Sequence, residues 1–410
     1  MSIKLSKRVS SLTESVTLKL NAQAVKMAAE GKKVYNLTAG QLPFRPPRNL
    51  VEGIRGELDF LGSFQYSPVA GEANLRETFL NYFYDSRKIK SSTFKEDFSL
   101  IIGNGGKHVV SNVFASLIDE GDEVVLIAPY WVSYPEMVNI YGGKINVVST
   151  SIFNAFEPSL DDIREAITDK TKMIVINSPN NPTGTHYSDE WMKGFASFLK
   201  DYPNLMVMSD EIYYELNYFD PRPTYFYQHD EELLKRTIII DGISKNLAST
   251  GLRIGYCIAD KELISSMTKL QGHTASGANS LIQKSLLKYD FDKISEYLDP
   301  VKSHLRDNSQ ILKDCFRERK LSKCWYQTIS AFYYFIDFSQ TDLMSKYQKS
   351  EDDGQDYSAQ ICADLLEQKG LALVPGIAFG SPNCARLSLV PPKDSFKEAM
   401  ELLAMSLTGE

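Results

Sequence analysis

TIIIDGISKNLASTGLRIGY, residues 237–256, joins a strand-length apolar run to a lysine, Lys245, and an arginine, Arg253. The run TIIID (237–241) does not alternate between apolar and polar residues, so both of its faces need covering. Such a strand belongs in a parallel sheet with helices on either side. Four similar runs precede it: SLII (99–102), VVLIA (124–128), MIVI (173–176) and LMVMS (205–209). Helical patterns lie between them. In KHVVSNVFASLIDEG (107–121) the apolar residues at 109, 110, 113, 114, 117 and 118 make one stripe of a helix, with Gly121 as its expected stop. Strand and helix in alternation predict an open, doubly wound α/β sheet.

In such a sheet ligands sit outside the carboxyl ends of the strands. The residues that follow the five runs are GNGGK (103–107), PYW (129–131), NSPNNPTG (177–184), DEIYY (210–214) and GISK (242–245). Each alone has an ordinary explanation as a turn, a packed aromatic or a solvated charge. Five of them converging on one edge point to a binding site.

Composition narrows the kind of site. The 410 residues are 43% hydrophobic and 24% charged, which is the balance of a folded protein, and the length predicts two or three compact units. A formal charge of −7 disfavours nucleic acid and anionic membrane surfaces, so small molecules are the expected partners. No apolar run reaches membrane-spanning length and the start, MSIKLSKRVSSLTES, has no apolar signal stretch, which makes the cytosol the expected location. The five cysteines and five histidines lack disulfide-framework or metal-ligand spacing, so no metal is expected and the thiols are read as reduced.

The motifs YSPVAGEANLRE (66–77), GNGGK, PYWVSYPE (129–136), NSPNNPTG, SDEIYY (209–214) and SKNLASTGLRIGY (244–256) recur in order at family-like spacing. On them the chain, from about Leu37 to Arg386, resembles the fold type I pyridoxal-phosphate aminotransferases of class I/II, and among these the bacterial aspartate aminotransferases. The resemblance implies pyridoxal 5′-phosphate as cofactor. It implies that Lys245 joins the cofactor aldehyde and later moves a proton, which requires a pKa lowered by burial, by Arg253 and by the cofactor ring. Asp210 matches the acid that pairs with the pyridinium nitrogen. Tyr213 and Asn181 match donors to the ring oxygen, and the Asn181–Pro182 bond resembles one that is cis in the family.

Gly105, Gly106 and Lys107, at the start of a helix, match the phosphate site together with Ser244 and Arg253. Trp131 matches the aromatic that lies flat on the ring. Tyr66 resembles a tyrosine that reaches the phosphate from the neighbouring subunit, which implies a homodimer with shared sites. Arg386, in NCARLSLV (383–390), matches the arginine that grips the substrate α-carboxylate, and Gly40 resembles a position whose amide touches the same carboxylate.

GQLPF (40–44) stands where relatives often read G-E-P-D-F, and Ala115 stands where some acid-specific relatives carry a lysine. Both departures weaken the expected grip on a distal carboxylate; aspartate remains the first expected donor, with aromatic and other neutral amino acids close behind it. A C–S β-lyase on the same fold, or a non-catalytic cofactor-binding regulator, are the other readings.

The expected architecture is a large cofactor-binding unit over 47–298, with a mostly parallel sheet, and a small α/β unit built from 1–46 and 299–410. ESVTLKLNAQAVKMAAEG (14–31) predicts a helix of the small unit, and a long helix is expected from about Val301 to Lys320, after Pro300. Short strands, YYFIDF (333–338), LALV (371–374) and ARLSLV (385–390), should alternate with helices over 356–370 and 395–407, and KYQKSEDDGQDYS (346–358) reads as an exposed loop.

Overall fold

All five apolar runs become strands that point the same way, in one sheet of seven. The computed structural model describes residues 3–10, 12, 16–90, 97–348 and 355–410; residues 349–354 of the expected exposed loop lie outside them. Across the sheet the order is Phe98–Gly103, Gly255–Asp260, Thr237–Gly242, Met206–Asp210, Thr171–Asn177, Glu123–Ala128 and Lys144–Ser149. Neighbours pair in parallel except at Gly255–Asp260, which runs antiparallel to both strands beside it. Because that strand reverses twice the relation between its neighbours, Phe98–Gly103 still ends on the same edge as the other four. Arg253 is delivered to that edge by the turn that starts the reversed strand.

Two strands of this sheet were not expected from the sequence. Lys144–Ser149 forms a half-exposed edge of mixed polarity, and Gly255–Asp260 begins with glycine and holds its short apolar run, YCIA, at 256–259. The helix after the first strand covers Gly106–Leu117 and stops before Gly121, which instead takes a left-handed turn at φ 90°.

The second layer is a three-stranded antiparallel sheet, in the order Val374–Pro375, Cys384–Ser388, Tyr333–Asp337, beside a short parallel pair, Tyr35–Asn36 with Leu371–Ala372. Helices Val16–Ala29, Ser358–Lys369 and Lys393–Leu407 complete it. Both ends of the chain meet here: Ser388 N–H donates to the Leu37 carbonyl at 2.9 Å and Leu37 N–H to that of Ala372 at 3.0 Å. The long helix corrects an expectation, since it covers Ile294–Glu318 and runs through Pro300 instead of starting after it. Ile294, Leu298, Val301, Leu305, Leu312 and Phe316 are buried along it, and burying that stripe outweighs the one backbone bond that proline removes.

Candidate active site

Five strand ends and the Arg386 strand enclose a cavity of about 430 Å³. Its anion-attracting wall starts where the strand ending at Gly103 turns into helix Gly106–Leu117. Gly105 makes that turn at φ 87°, and a Cβ there would lie 2.4 Å from Arg253 Nη2, so only glycine lets the guanidinium close on the helix start. Arg253, itself left-handed at φ 56°, donates from Nη1 to the Thr250 carbonyl at 2.8 Å and from Nη2 to that of Asn104 at 3.2 Å. Among the described residues its guanidinium thus meets backbone carbonyls and no carboxylate. Lys107 sits with Nζ 5.1 Å from the Trp131 ring centre, its pKa lowered by burial and by Arg253. Unpaired helix-start amides, Arg253 and Lys107 together suit a phosphate.

Strand Thr237–Gly242 leads into a single helical turn, Ile243–Asn246, that turns Lys245 and Ser244 into the cavity. Lys245 Nζ donates to the Gly40 carbonyl at 2.6 Å, and its pKa falls from 10.5 to about 8. Burial is the main cause, followed by the charge of Arg386 and then of Arg253, while Asp210 acts in the opposite direction. The neighbouring cation that matters most is therefore the arginine of the second layer, ahead of the one that the sequence pointed to.

Asp210, at the end of its strand, is buried, and burial raises its pKa to about 6. The Tyr134 hydroxyl donates to its Oδ2 at 2.5 Å and opposes that rise. Tyr213 faces Tyr333 with hydroxyl oxygens 3.2 Å apart. Asn181 is held by its backbone N–H on Asn177 Oδ1 at 3.0 Å, and its own Oδ1 accepts from Arg386 Nη1 at 3.0 Å. Arg386 Nη2 donates to the Thr38 carbonyl at 3.0 Å, whereas its buried Nε has no partner.

Gly40, Gly106, Lys107, Trp131, Asn181, Asp210, Tyr213, Ser244, Lys245, Arg253 and Arg386 all line this one cavity, with Gly105 against Arg253. Tyr66 does not: it is 95% exposed, outside the cavity of its own chain. Ala115 also lies outside the lining, where Lys107 supplies a cation. The Asn181–Pro182 bond is not among the cis bonds, which are Ala128–Pro129, Ser178–Pro179 and Asp220–Pro221; the cis peptide of NSPNNPTG precedes its first proline. Sequence reasoning passed over Tyr134, Asn177, Thr250 and Tyr333. Tyr134 and Asn177 lie within quoted motifs, so proximity to Trp131 and Asn181 was their signal; Tyr333, in an apolar strand, had none.

The family model for aminotransferase class I and II matches residues 32–403. The chain is 32% identical to an aspartate aminotransferase of Bacillus subtilis, over 97% of this chain and 98% of that one. It is also 32% identical to an aspartate/prephenate aminotransferase of Nitrosomonas europaea, over 99% and 100%. Among solved structures, the aspartate aminotransferase of Thermus thermophilus with maleate superposes with a TM-score of 0.87 at 30% identity, covering 99% of this chain and 100% of that one. The resemblance carried by the motifs thus extends over nearly the whole length, and the chain belongs to the class I and II aminotransferases.

Proposed function

We propose that this enzyme uses pyridoxal 5′-phosphate to move the α-amino group of an L-amino acid, aspartate first, to a 2-oxo acid such as 2-oxoglutarate in a ping-pong cycle. The observation that carries this is the convergence of Lys245, Asp210 and Arg386 on one cavity, with the Lys245 amine lowered to about 8. The residues present fit the cofactor. Gly105 leaves room at a cationic helix start, and the Asn181 oxygen serves Arg386, which leaves its amide nitrogen to donate; the buried, partnerless Arg386 Nε suits a substrate carboxylate.

In this reading Gly105, Gly106, Lys107, Ser244 and Arg253 hold the phosphate, with Tyr66 added from a second chain. Trp131 covers the ring face, Asp210 faces the ring nitrogen, and Tyr213 and Asn181 face the ring oxygen. When bound, the cofactor supplies an aldehyde carbon that takes the amino group and a ring that accepts electrons. The chain's own residues do the rest. Arg386 grips the α-carboxylate with two parallel donors and Gly40 lies beside it. At pH 7 about one Lys245 amine in ten is neutral, against about one in three thousand for an unperturbed lysine, and the neutral amine takes the proton from the α carbon. Asp210 works as an anion, which Tyr134 favours.

That last contact can be tested. Tyr134→Phe removes the short hydrogen bond, so the Asp210 pKa should rise further and the acid limb of the kcat/KM profile should move up by about one unit. An unmoved acid limb would assign that limb to another group.

Residues 47–298 form the cofactor-holding unit in this reading, and 1–46 with 299–410 the smaller one. Two chains pair as a cytosolic homodimer; the exposed Leu58, Phe60, Leu61, Phe64 and Tyr66 support a paired surface. Aspartate is favoured by the relatives, since the Bacillus subtilis protein that matches nearly the whole chain is an aspartate aminotransferase. Half-reaction spectra and kcat/KM for aspartate, phenylalanine and alanine, with 2-oxoglutarate and prephenate as acceptors, test the substrate. Preference for phenylalanine would move the assignment to an aromatic donor, and pyruvate with ammonia released from cystathionine without an acceptor would make it a β-lyase.

A further inference from the structure

Behind the sheet edge that carries the site, on the side away from the cavity, lies a buried ionic cluster that the motifs do not account for. Arg87, at the end of helix Ala73–Ser86, is 1% exposed, Glu211 0% and Asp241 5%. Arg87 Nε meets Glu211 Oε2 at 2.9 Å, its Nη2 meets Asp241 Oδ2 at 3.5 Å, and its guanidinium lies 3.3 Å from the Tyr214 ring centre. The remaining oxygens are also occupied. Glu211 Oε1 accepts from Tyr227 at 2.8 Å and Ser209 at 2.9 Å, while Asp241 accepts from the Tyr256 hydroxyl at 3.1 Å and the Gly242 N–H at 2.7 Å.

Stability alone does not explain such a cluster, because buried ion pairs replaced by apolar residues of like volume are often neutral or better. Its place in the chain does. Glu211 directly follows Asp210, and strand alternation sends the two side chains to opposite faces. The Glu211 N–H donates to the Ile240 carbonyl at 2.9 Å, which ties this strand end to the next. Asp241 holds the N–H of Gly242, which leads into the turn Ile243–Asn246 that carries Lys245. That turn is only one turn long, and its Ile243 N–H is tied to the Ile254 carbonyl at 3.3 Å. We propose that Arg87 is a positioning residue: from the far face it holds, through Glu211 and Asp241, the two strand ends that present Asp210 and Lys245 to the cavity. What those two groups then do rests on the proposed function; the positioning does not.

The test uses the full-length chain. Acylation of Lys245 in cofactor-free protein, followed on peptide 241–256 by mass spectrometry across pH, should titrate at about 8 in the wild type. In Arg87→Met the turn loses its support and Lys245 moves toward solvent. Its midpoint should rise by about one unit, so that reactivity at pH 7 falls about ten-fold. In the loaded enzyme kcat should fall about ten-fold or more while KM changes less than about two-fold, since Arg386 is held elsewhere. The triple variant R87M/E211Q/D241N removes all three charges; its Tm should recover, but neither Lys245 reactivity nor kcat should. A wild-type midpoint in R87M, or recovery of reactivity and kcat together with Tm in the triple variant, would overturn the proposal. Should R87M fail to fold, the triple variant alone decides. Labelling needs no cofactor, so it reads even if the aminotransferase reading fails.

Discussion

Lys245→Ala should lower kcat by at least about 10⁴-fold, because in the proposed reaction one nitrogen is both covalent anchor and general base. The same substitution should stabilise the cofactor-free chain at neutral pH. Lys245 is held at about 8 in the folded protein, below its ordinary 10.5, chiefly by burial. Between those two values the unfolded chain binds more protons than the folded one, so stability rises with pH across that window. Below pH 8 the full cost of the buried ammonium is present, and above 10.5 it is gone. Alanine removes that cost and also loses the hydrogen bond to the Gly40 carbonyl. After allowing for this loss and for solvent at the cavity mouth, the net gain at pH 7 should be about 1 kcal/mol. Calorimetry at pH 7 and pH 10.5, beside single-turnover kinetics, checks both halves. A variant that melts below wild type at pH 7, or keeps more than about one hundredth of kcat, contradicts the role of the amine.

Arg386→Lys should lower kcat/KM for the amino donor by about 10²-fold, most of it through KM. Arg386 is buried, with Nη1 on Asn181, Nη2 on the Thr38 carbonyl and Nε unpartnered, and these contacts hold the planar fork in one orientation. A lysine presents a single ammonium and cannot make two parallel bonds to a carboxylate. Each hydrogen bond to a charged group contributes about 1.5 to 3 kcal/mol, so losing one accounts for about ten- to a hundred-fold in affinity. The discriminating measurement is the ratio of kcat/KM for an amino acid to that for the amine lacking its carboxylate. It should collapse in the variant, whereas an unchanged ratio would place carboxylate recognition elsewhere.

Most of the sheet could be read from local sequence because a strand covered on both faces must be apolar along its whole length, and five such runs stand out from helical stripes between them. Where burial is one-sided or backbone geometry intervenes the signal fades. Lys144–Ser149 is an edge strand of mixed polarity, and Gly255–Asp260 starts at a glycine whose Cβ would strike the Gly106 backbone at 2.3 Å. Pro300 predicted a helix boundary, yet the packing of the apolar stripe carried the helix through it.

From the sequence by itself came the strand ends, and with them Lys245, Asp210, Tyr213, Asn181 and the glycine turn before Lys107, since each sits directly after an apolar run. Only the tertiary structure decided which residues tune them. Gly40 and Arg386 reach Lys245 and Asn181 across 205 residues of chain, Tyr134 reaches Asp210 across 76, and Arg87 reaches Glu211 across 124. Such contacts depend on strand order and on the reversed strand that brings Arg253 round, and neither leaves a periodic trace in the residues themselves. Burial and neighbouring charge then set the pKa values, and both are properties of the packed chain that no single motif contains.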